Sequence, residues 1–283
     1  MAVVMKGKEI AKQLKADIER EVELLNREGI RPTLAAIRVG DKADAINYEN
    51  STIKWLSKLN IGCETFHYDE FIKKSKFLGE LEKISDMENI HGMLIFRPLP
   101  KGLDTCDTDY AIRPIKDVDG MNPLNFGKVC IQDKSGYAPC TAEAVMEILK
   151  FHGINIAGKN VVILGRSLVI GKPVSMLLIN EGATVTVCNS KTKNLPKVCR
   201  RADILVSAIG KPNFVNSDFV RKDAIVIDVG INVLSDGKVT GDVDYDDVEK
   251  RCSYITPVPG GVGSVTNAVL AKHIVKAAKL LNM

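Results

Sequence analysis

The chain has no CxxC pair, no internal repeat and no low-complexity tract, and it has no run approaching the ~18 consecutive apolar residues of a membrane span. Its seven cysteines (Cys63, Cys106, Cys130, Cys140, Cys188, Cys199 and Cys252) are scattered and odd in number. That excludes a disulfide framework or a thiolate zinc site and points to reduced thiols in a cytoplasmic setting. The opening MAVVMKGKEIAKQL turns charged by Lys6 and lacks an apolar core and a cleavage site, so neither an export signal nor membrane association is expected. Charge of one sign is also scarce: 39 basic against 35 acidic residues leave a dispersed surplus of +4, too small for a nucleic-acid footprint. The four histidines (His67, His91, His152 and His273) form no ligand-spaced cluster, and no metal is expected.

What is present is a globular chain of 283 residues, 45% of them hydrophobic, which can bury a sizeable core. Ile10, Leu14, Ile18 and Val22 recur every fourth residue before Gly29, which predicts an amphipathic helix. TLAAIRV (33–39) and GMLIF (92–96) are short apolar runs bounded by Gly or Pro and predict strands, while 44–60 and 70–85 carry helical spacing. Parallel strands need long crossovers that helices supply, so the order helix, strand, helix, helix, strand predicts an α/β domain.

Around Thr141 the pattern restarts. Thr141 is expected to cap a helix whose apolar face is Val145, Ile148 and Leu149 and which ends at Gly153. NVVIL (160–164), ATVTV (183–187), DILVS (203–207) and AIVIDVG (224–230) follow, separated by helix-length polar segments, and predict a second, doubly wound sheet. SVTNAVLAKHIVKAAKLLN (264–282) has helical spacing and is expected to pack back on the first domain. The expected boundaries are 1–140 with 265–283 for one domain and 141–264 for the other.

The run VVILGRSLVIGKP (161–173) reads as strand, tight turn and helix, with Gly165 ending the strand and Gly171 inside the following helix. Glycine lets a backbone approach phosphate, and a helix N-terminus offers unpaired N–H groups to an anion. The match to GxGxxG is imperfect, because Ser167 replaces the middle glycine and the last glycine falls one residue late. A plain structural turn is the alternative. The next strand ends in Asn189, Ser190 and Lys191, where NAD enzymes place a carboxylate on the ribose 2′-hydroxyl. With no carboxylate to repel a 2′-phosphate, and a hydroxyl and a cation available, NADP is the expected cofactor and NAD the alternative.

Eight segments in order resemble one family, methylenetetrahydrofolate dehydrogenase/cyclohydrolase: VGDKADAINY (39–48), HGMLIFRPLP (91–100), KDVDGMNPLNFGK (116–128), PCT (139–141), GRSLVIGKP (165–173), VIDVGIN (226–232), GDVD (241–244) and ITPVPGGVGSVT (255–266). The resemblance spans nearly the whole chain. It implies an N-terminal three-layer α/β catalytic domain, a C-terminal Rossmann-type doubly wound NAD(P)-binding domain, and a folate cleft between them. It implies oxidation of a one-carbon unit on tetrahydrofolate, no metal, and a homodimer through the Rossmann-type domain. Tyr48 is then expected to stack on the folate, Asp119 to bond the pterin, and Pro259, Gly260, Gly261, Val262 and Gly263 to line the substrate pocket with Ile95 and Arg97. Gly165, Arg166, Ser167, Ser190, Lys191 and Ile231 are the expected cofactor contacts.

The chain departs from the family at one place of consequence. The family pattern Tyr-x-x-x-Lys, whose lysine serves hydrolysis of the methenyl product, reads Tyr48 to Thr52 here, and the glutamine of its V-Q-L-P-L-P segment is Phe96. Residues i and i+4 share a helix face, so Tyr48 and Thr52 are expected to face the cleft together while Lys54 is turned about 200° from Thr52. Threonine is no tuned acid or base, and Phe offers neither donor nor acceptor, so cyclohydrolase activity is expected to be weak or absent. Ala45, Ala142, Asn189 and Ser264 are smaller departures. Two rival readings are an unrelated Rossmann dehydrogenase of a small substrate and a non-catalytic member that binds folate and nucleotide. Lys191→Asp should weaken NADP binding selectively, which the ratio of NADP to NAD affinities measures; an unchanged ratio refutes the role of Lys191.

Overall fold

Thr33–Val39 is a strand in which every residue after Thr33 is buried, the continuous pattern of a parallel strand covered on both faces. Its one charged member, Arg38, is buried because Glu49 takes its Nε–H at 2.7 Å. The computed structural model of the chain describes residues 2–283.

In chain order the elements begin with β1 (Val3–Val4), α1 (Gly7–Arg27), β2 (Thr33–Val39), α2 (Ala43–Ser57), β3 (Gly62–Tyr68), α3 (Lys74–Asp86) and β4 (Gly92–Ile95). There follow α4 (Cys106–Tyr110), α5 (Pro123–Cys130), α6 (Cys140–Phe151), β5 (Asn160–Leu164), α7 (Gly171–Asn180), β6 (Thr184–Cys188) and α8 (Leu195–Cys199). The chain closes with β7 (Ile204–Ser207), β8 (Ile225–Asp228), β9 (Asn232–Val233), β10 (Val239–Thr240), α9 (Tyr245–Val248), β11 (Tyr254–Ile255) and α10 (Gly263–Leu281). Among the described residues no helix is long and apolar enough to cross a membrane, and all seven cysteines are free thiols.

The chain forms two compact units. One contains Gln13–Cys140 and Asn267–Met283. Its sheet has the order β3-β2-β4, all parallel. Phe77, Leu81 and Ile84 of α3 pack with Ile37, Met93 and Ile95 in its core. Helix α10 lays Ile274 close against Gly92 and ties Lys276 Nζ to Gly136 O at 2.6 Å. The other unit joins the residues up to Lys12 to Thr141–Thr266. Its main sheet has six parallel strands in the order β1-β11-β8-β7-β5-β6, over a core that includes Val162, Leu205, Val226 and Ile255, and β9 and β10 pair as a separate antiparallel hairpin.

Three expectations need correction. The first residues were assigned with 13–140, but Val3 and Val4 pair in register with Tyr254 and Ile255, so sheet hydrogen bonds bind them to the second unit. Strand β3 was missed because its side chains are largely exposed at a sheet edge, leaving no apolar run. Thr141 is no cap: α6 starts at Cys140, so Thr141 sits in its first turn, while Val145, Ile148 and Leu149 are wholly buried. Leu81→Ala, at a fully buried position, should cost ~2–5 kcal/mol and lower the midpoint of urea unfolding followed by circular dichroism.

Candidate functional site

In the first unit, α2 and the end of β4 bring two aromatic rings together. Tyr48 meets Phe96 edge to face, ring centroids 5.4 Å apart at 83°. Phe96 is 2% exposed and its N–H bonds Ile37 O at 2.9 Å, whereas Tyr48 is 41% exposed and keeps a face free for a flat ligand. Burial, then the charge of Asp119, then Cys140 hold the Tyr48 phenol above its ordinary range, which puts these three groups in one neighbourhood.

Thr52 does not share the open face expected of it. It is 0% exposed and its Oγ1 has no hydrogen-bond partner, so the hydroxyl is sealed inside the unit one turn below Tyr48. Lys54 is exposed on another face. Arg97 is engaged elsewhere: its guanidinium pairs with Asp104 and Asp109. Ile95, expected beside the substrate, is 7% exposed and packs in one cluster with Ile37 and Leu99.

Asp119 is positioned by its neighbour Asp117. The buried Asp117 carboxylate accepts from Met121 N–H at 3.1 Å, Asn122 N–H at 2.7 Å and Asn125 Nδ2 at 2.8 Å, closing the turn that carries Asp119. Gly120 allows this turn: its φ is +68°, and a Cβ there would lie 2.5 Å from the carbonyl carbon of Ala138. The Asp119 carboxyl is pushed up to about 6 by burial and by the Asp117 charge, opposed by a bond from Cys140, by Arg97 and by His273. Two residues given no role from sequence thus belong to the site. His273 Nδ1 lies 2.8 Å from Val118 O, and the Cys140 thiol donates to the same oxygen at 3.3 Å. The quoted PCT motif was the signal for Cys140; His273 had none, being a lone histidine on an apolar helix.

In the second unit a cavity of about 310 Å³ opens where β5 and β6 end, lined among others by Gly165, Arg166, Ser167, Asn189 and Ser190. Gly165 has φ +112°, and a Cβ on it would lie 2.3 Å from Ala208 O, so only glycine permits this crossing. Ser167 Oγ accepts from Ile170 N–H at 3.1 Å and Gly171 N–H at 3.4 Å, tightening the turn into α7. Asn189 Oδ1 accepts Lys191 N–H at 2.9 Å, so the residue in the acidic position is spent on its own turn. Lys191 is exposed and does not line the cavity; Lys211 and Phe214, missed in the sequence, do. The donor set of hydroxyls, cations and a glycine crossing, with no carboxylate, fits a phosphorylated dinucleotide.

A second cavity of about 220 Å³ is lined by Gly230, Ile231 and the loop from Pro257 to Ser264. It joins Ile231, expected for the cofactor, to Pro259, Gly260, Gly261, Val262 and Gly263, expected for substrate. The loop is braced by Gly7, whose N–H bonds Gly260 O at 2.8 Å.

Comparison with known proteins agrees over the full length. Residues 5–119 match the family model of the tetrahydrofolate dehydrogenase/cyclohydrolase catalytic domain, and residues 139–282 match that of its NAD(P)-binding domain. The bifunctional protein FolD of Clostridioides difficile (strain 630) is 48% identical over 279 residues, 99% of this chain and 97% of that protein. The bifunctional protein FolD of Clostridium kluyveri is 46% identical over 284 residues, 100% of this chain and 99% of that protein. Among solved structures, the bifunctional FolD methylenetetrahydrofolate dehydrogenase/cyclohydrolase of Campylobacter jejuni superposes with TM-score 0.97 at 38% identity, covering 99% of both chains. The FolD of Trypanosoma brucei, complexed with NADP and an inhibitor, gives TM-score 0.93 at 36% identity, covering 99% of this chain and 98% of its own.

The raised carboxyls set a pH dependence. Asp119 titrates at about 6 in the fold against an ordinary 3.8, so between these values the folded state holds a proton the unfolded chain has lost, and stability falls as pH rises. Asp228, pushed to about 6 mainly by burial, acts in the same direction. Asp119→Asn should flatten part of that slope in urea-unfolding midpoints taken from about pH 4 to about pH 7; an unchanged slope refutes the raised Asp119.

Proposed function

The chain belongs to the tetrahydrofolate dehydrogenase/cyclohydrolase family, and on that premise we propose an NADP-dependent 5,10-methylenetetrahydrofolate dehydrogenase whose cyclohydrolase step is weak or absent. NADP held at the Gly165 turn of the second unit would supply the hydride acceptor for oxidation of the folate methylene group to the methenyl level. The chain's own residues bind and orient. The free face of Tyr48 provides stacking area for the pterin, and Asp119 accepts bonds from its amino-pyrimidine edge. Pro259 to Gly263 let backbone approach the flat substrate beside Ile231, and Arg166, Ser167 and Ser190 take the phosphates. Placement of this kind supplies most of what hydride transfer requires.

The observation that carries the reading on hydrolysis is what the chain puts at two positions by Tyr48, the buried Thr52 hydroxyl and the Phe96 ring. Hydrolysis of the methenyl group needs a tuned acid or base at the carbon. Where the family pattern has lysine and glutamine, this chain has a fully buried hydroxyl without a partner and a phenyl ring. The nearby cations are no replacement, since Arg97 is clamped by two aspartates and Lys54 faces away.

A homodimer through the second unit is supported by the β9–β10 hairpin, which presents Val233 72% exposed. A cytoplasmic setting is supported by the seven free thiols. The purified protein should form NADPH from methylenetetrahydrofolate and should not hydrolyse methenyltetrahydrofolate above the spontaneous rate. Robust hydrolysis overturns the second half of the reading; reduction of neither NADP nor NAD overturns the first and favours a non-catalytic binding member.

A further inference from the structure

Asp242 lies in none of the motif positions expected to touch cofactor or substrate, yet it is 0% exposed and draws five donors onto one carboxylate. Oδ2 accepts from Ser207 Oγ at 3.1 Å, Ile209 N–H at 2.7 Å and Gly210 N–H at 3.3 Å. Oδ1 accepts from Lys211 N–H at 2.9 Å and Asn232 Nδ2 at 3.1 Å. Three successive backbone N–H groups that leave the sheet after β7 therefore have a single side chain as their partner.

Both cavities are built on this carboxylate. The segment it holds supplies Ala208, Ile209 and Lys211 to the wall of the 310 Å³ cavity. Its fifth donor, Asn232, directly follows Ile231 of the 220 Å³ cavity. The carboxylate is itself immobilised. Asp242 N–H bonds Asp228 Oδ1 at 3.1 Å, and a Cβ at Gly230 would lie 2.2 Å from Asp242 Oδ1, so neither backbone nor side chain has room to shift.

We propose that Asp242 is a positioning residue for the dinucleotide, holding the 208–211 wall and the Ile231–Asn232 turn in fixed register so that both ends of one extended ligand fit without reorganisation. The inference rests on the proposed function in taking NADP as the ligand. Asn in place of Asp keeps the shape but turns an NH2 toward the donors on one side, so part of the segment loses its acceptor and loosens. A loosened wall costs binding by requiring order to be restored when the ligand enters.

The test is direct titration of NADP into the folded apoprotein by calorimetry, with folate absent, beside steady-state kinetics and thermal melting. Asp242→Asn should raise the NADP Kd and KM about ten-fold, with the KM for methylenetetrahydrofolate within about two-fold of wild type. A purely structural role would lower Tm while leaving NADP Kd unchanged well below the melt, and that result overturns the inference. Should Asp242→Asn not fold, the double variant Ser207→Ala/Asn232→Ala decides. It removes both side-chain donors and keeps the carboxylate, and it should weaken NADP binding about three-fold; an unchanged Kd overturns the inference. Wild-type protein that binds NADP but reduces none refutes the proposed reaction and leaves the Asp242 measurement standing. Wild-type protein that binds no NADP overturns both.

Discussion

A parallel sheet satisfies its backbone only as far as the strands run; the segments that leave the strand ends carry N–H groups that must find partners elsewhere. In this protein three buried aspartates meet that demand. Asp117 takes Met121 and Asn122 in the turn after Asp119, and the Asn125 side chain. Asp228 takes Gly230, Asp242 and Val243, and Asp242 takes the segment after β7. Each of these turns carries a residue of the candidate site: Asp119, Ile231, or the wall facing Gly165. A hydrophobic residue of equal size could fill the same space but could not hold the backbone, so the geometry of the site depends on carboxylates spent on backbone N–H groups.

Burying these groups has a cost that shows in their titration. Asp119 and Asp228 are pushed up mainly by burial, each with a second aspartate raising it further and hydrogen bonds opposing the shift. The function of Asp119 is compatible with this position. A carboxyl that titrates near 6 still accepts hydrogen bonds at neutral pH, and Tyr48 beside it keeps its proton because burial and that same charge hold the phenol up.

Much of the fold was legible because its central strands are buried on both faces and so read as unbroken apolar runs. TLAAIRV and NVVIL match β2 and β5 residue for residue. Elements that bury little left no trace: β3 alternates poorly at an edge, and β1 and β11 are two residues each, held by register rather than composition. The glycine turn, Tyr48, Asp119 and the PGGVG loop were legible as motifs. Facing was not. A helical wheel puts Thr52 on the face of Tyr48, but one turn of helix is enough to pass from an exposed ring to a sealed hydroxyl. Asp242 and His273 were illegible in role because their partners come from chain 10 to 155 residues away, which no local spacing encodes.

That distinction also explains how one of two reactions at a shared site can be lost alone. Hydride transfer draws on surfaces and turns: a free aromatic face, a glycine crossing and a loop braced by Gly7. None of these is a titrating group, and none depends on position 52. Hydrolysis draws on a proton carrier at one carbon. Under the proposed function threonine at position 52 leaves that carrier out, and Phe96, which meets Tyr48 edge to face, supplies no other. On the proposed reading, the chain keeps what binding asks for and lacks what hydrolysis asks for.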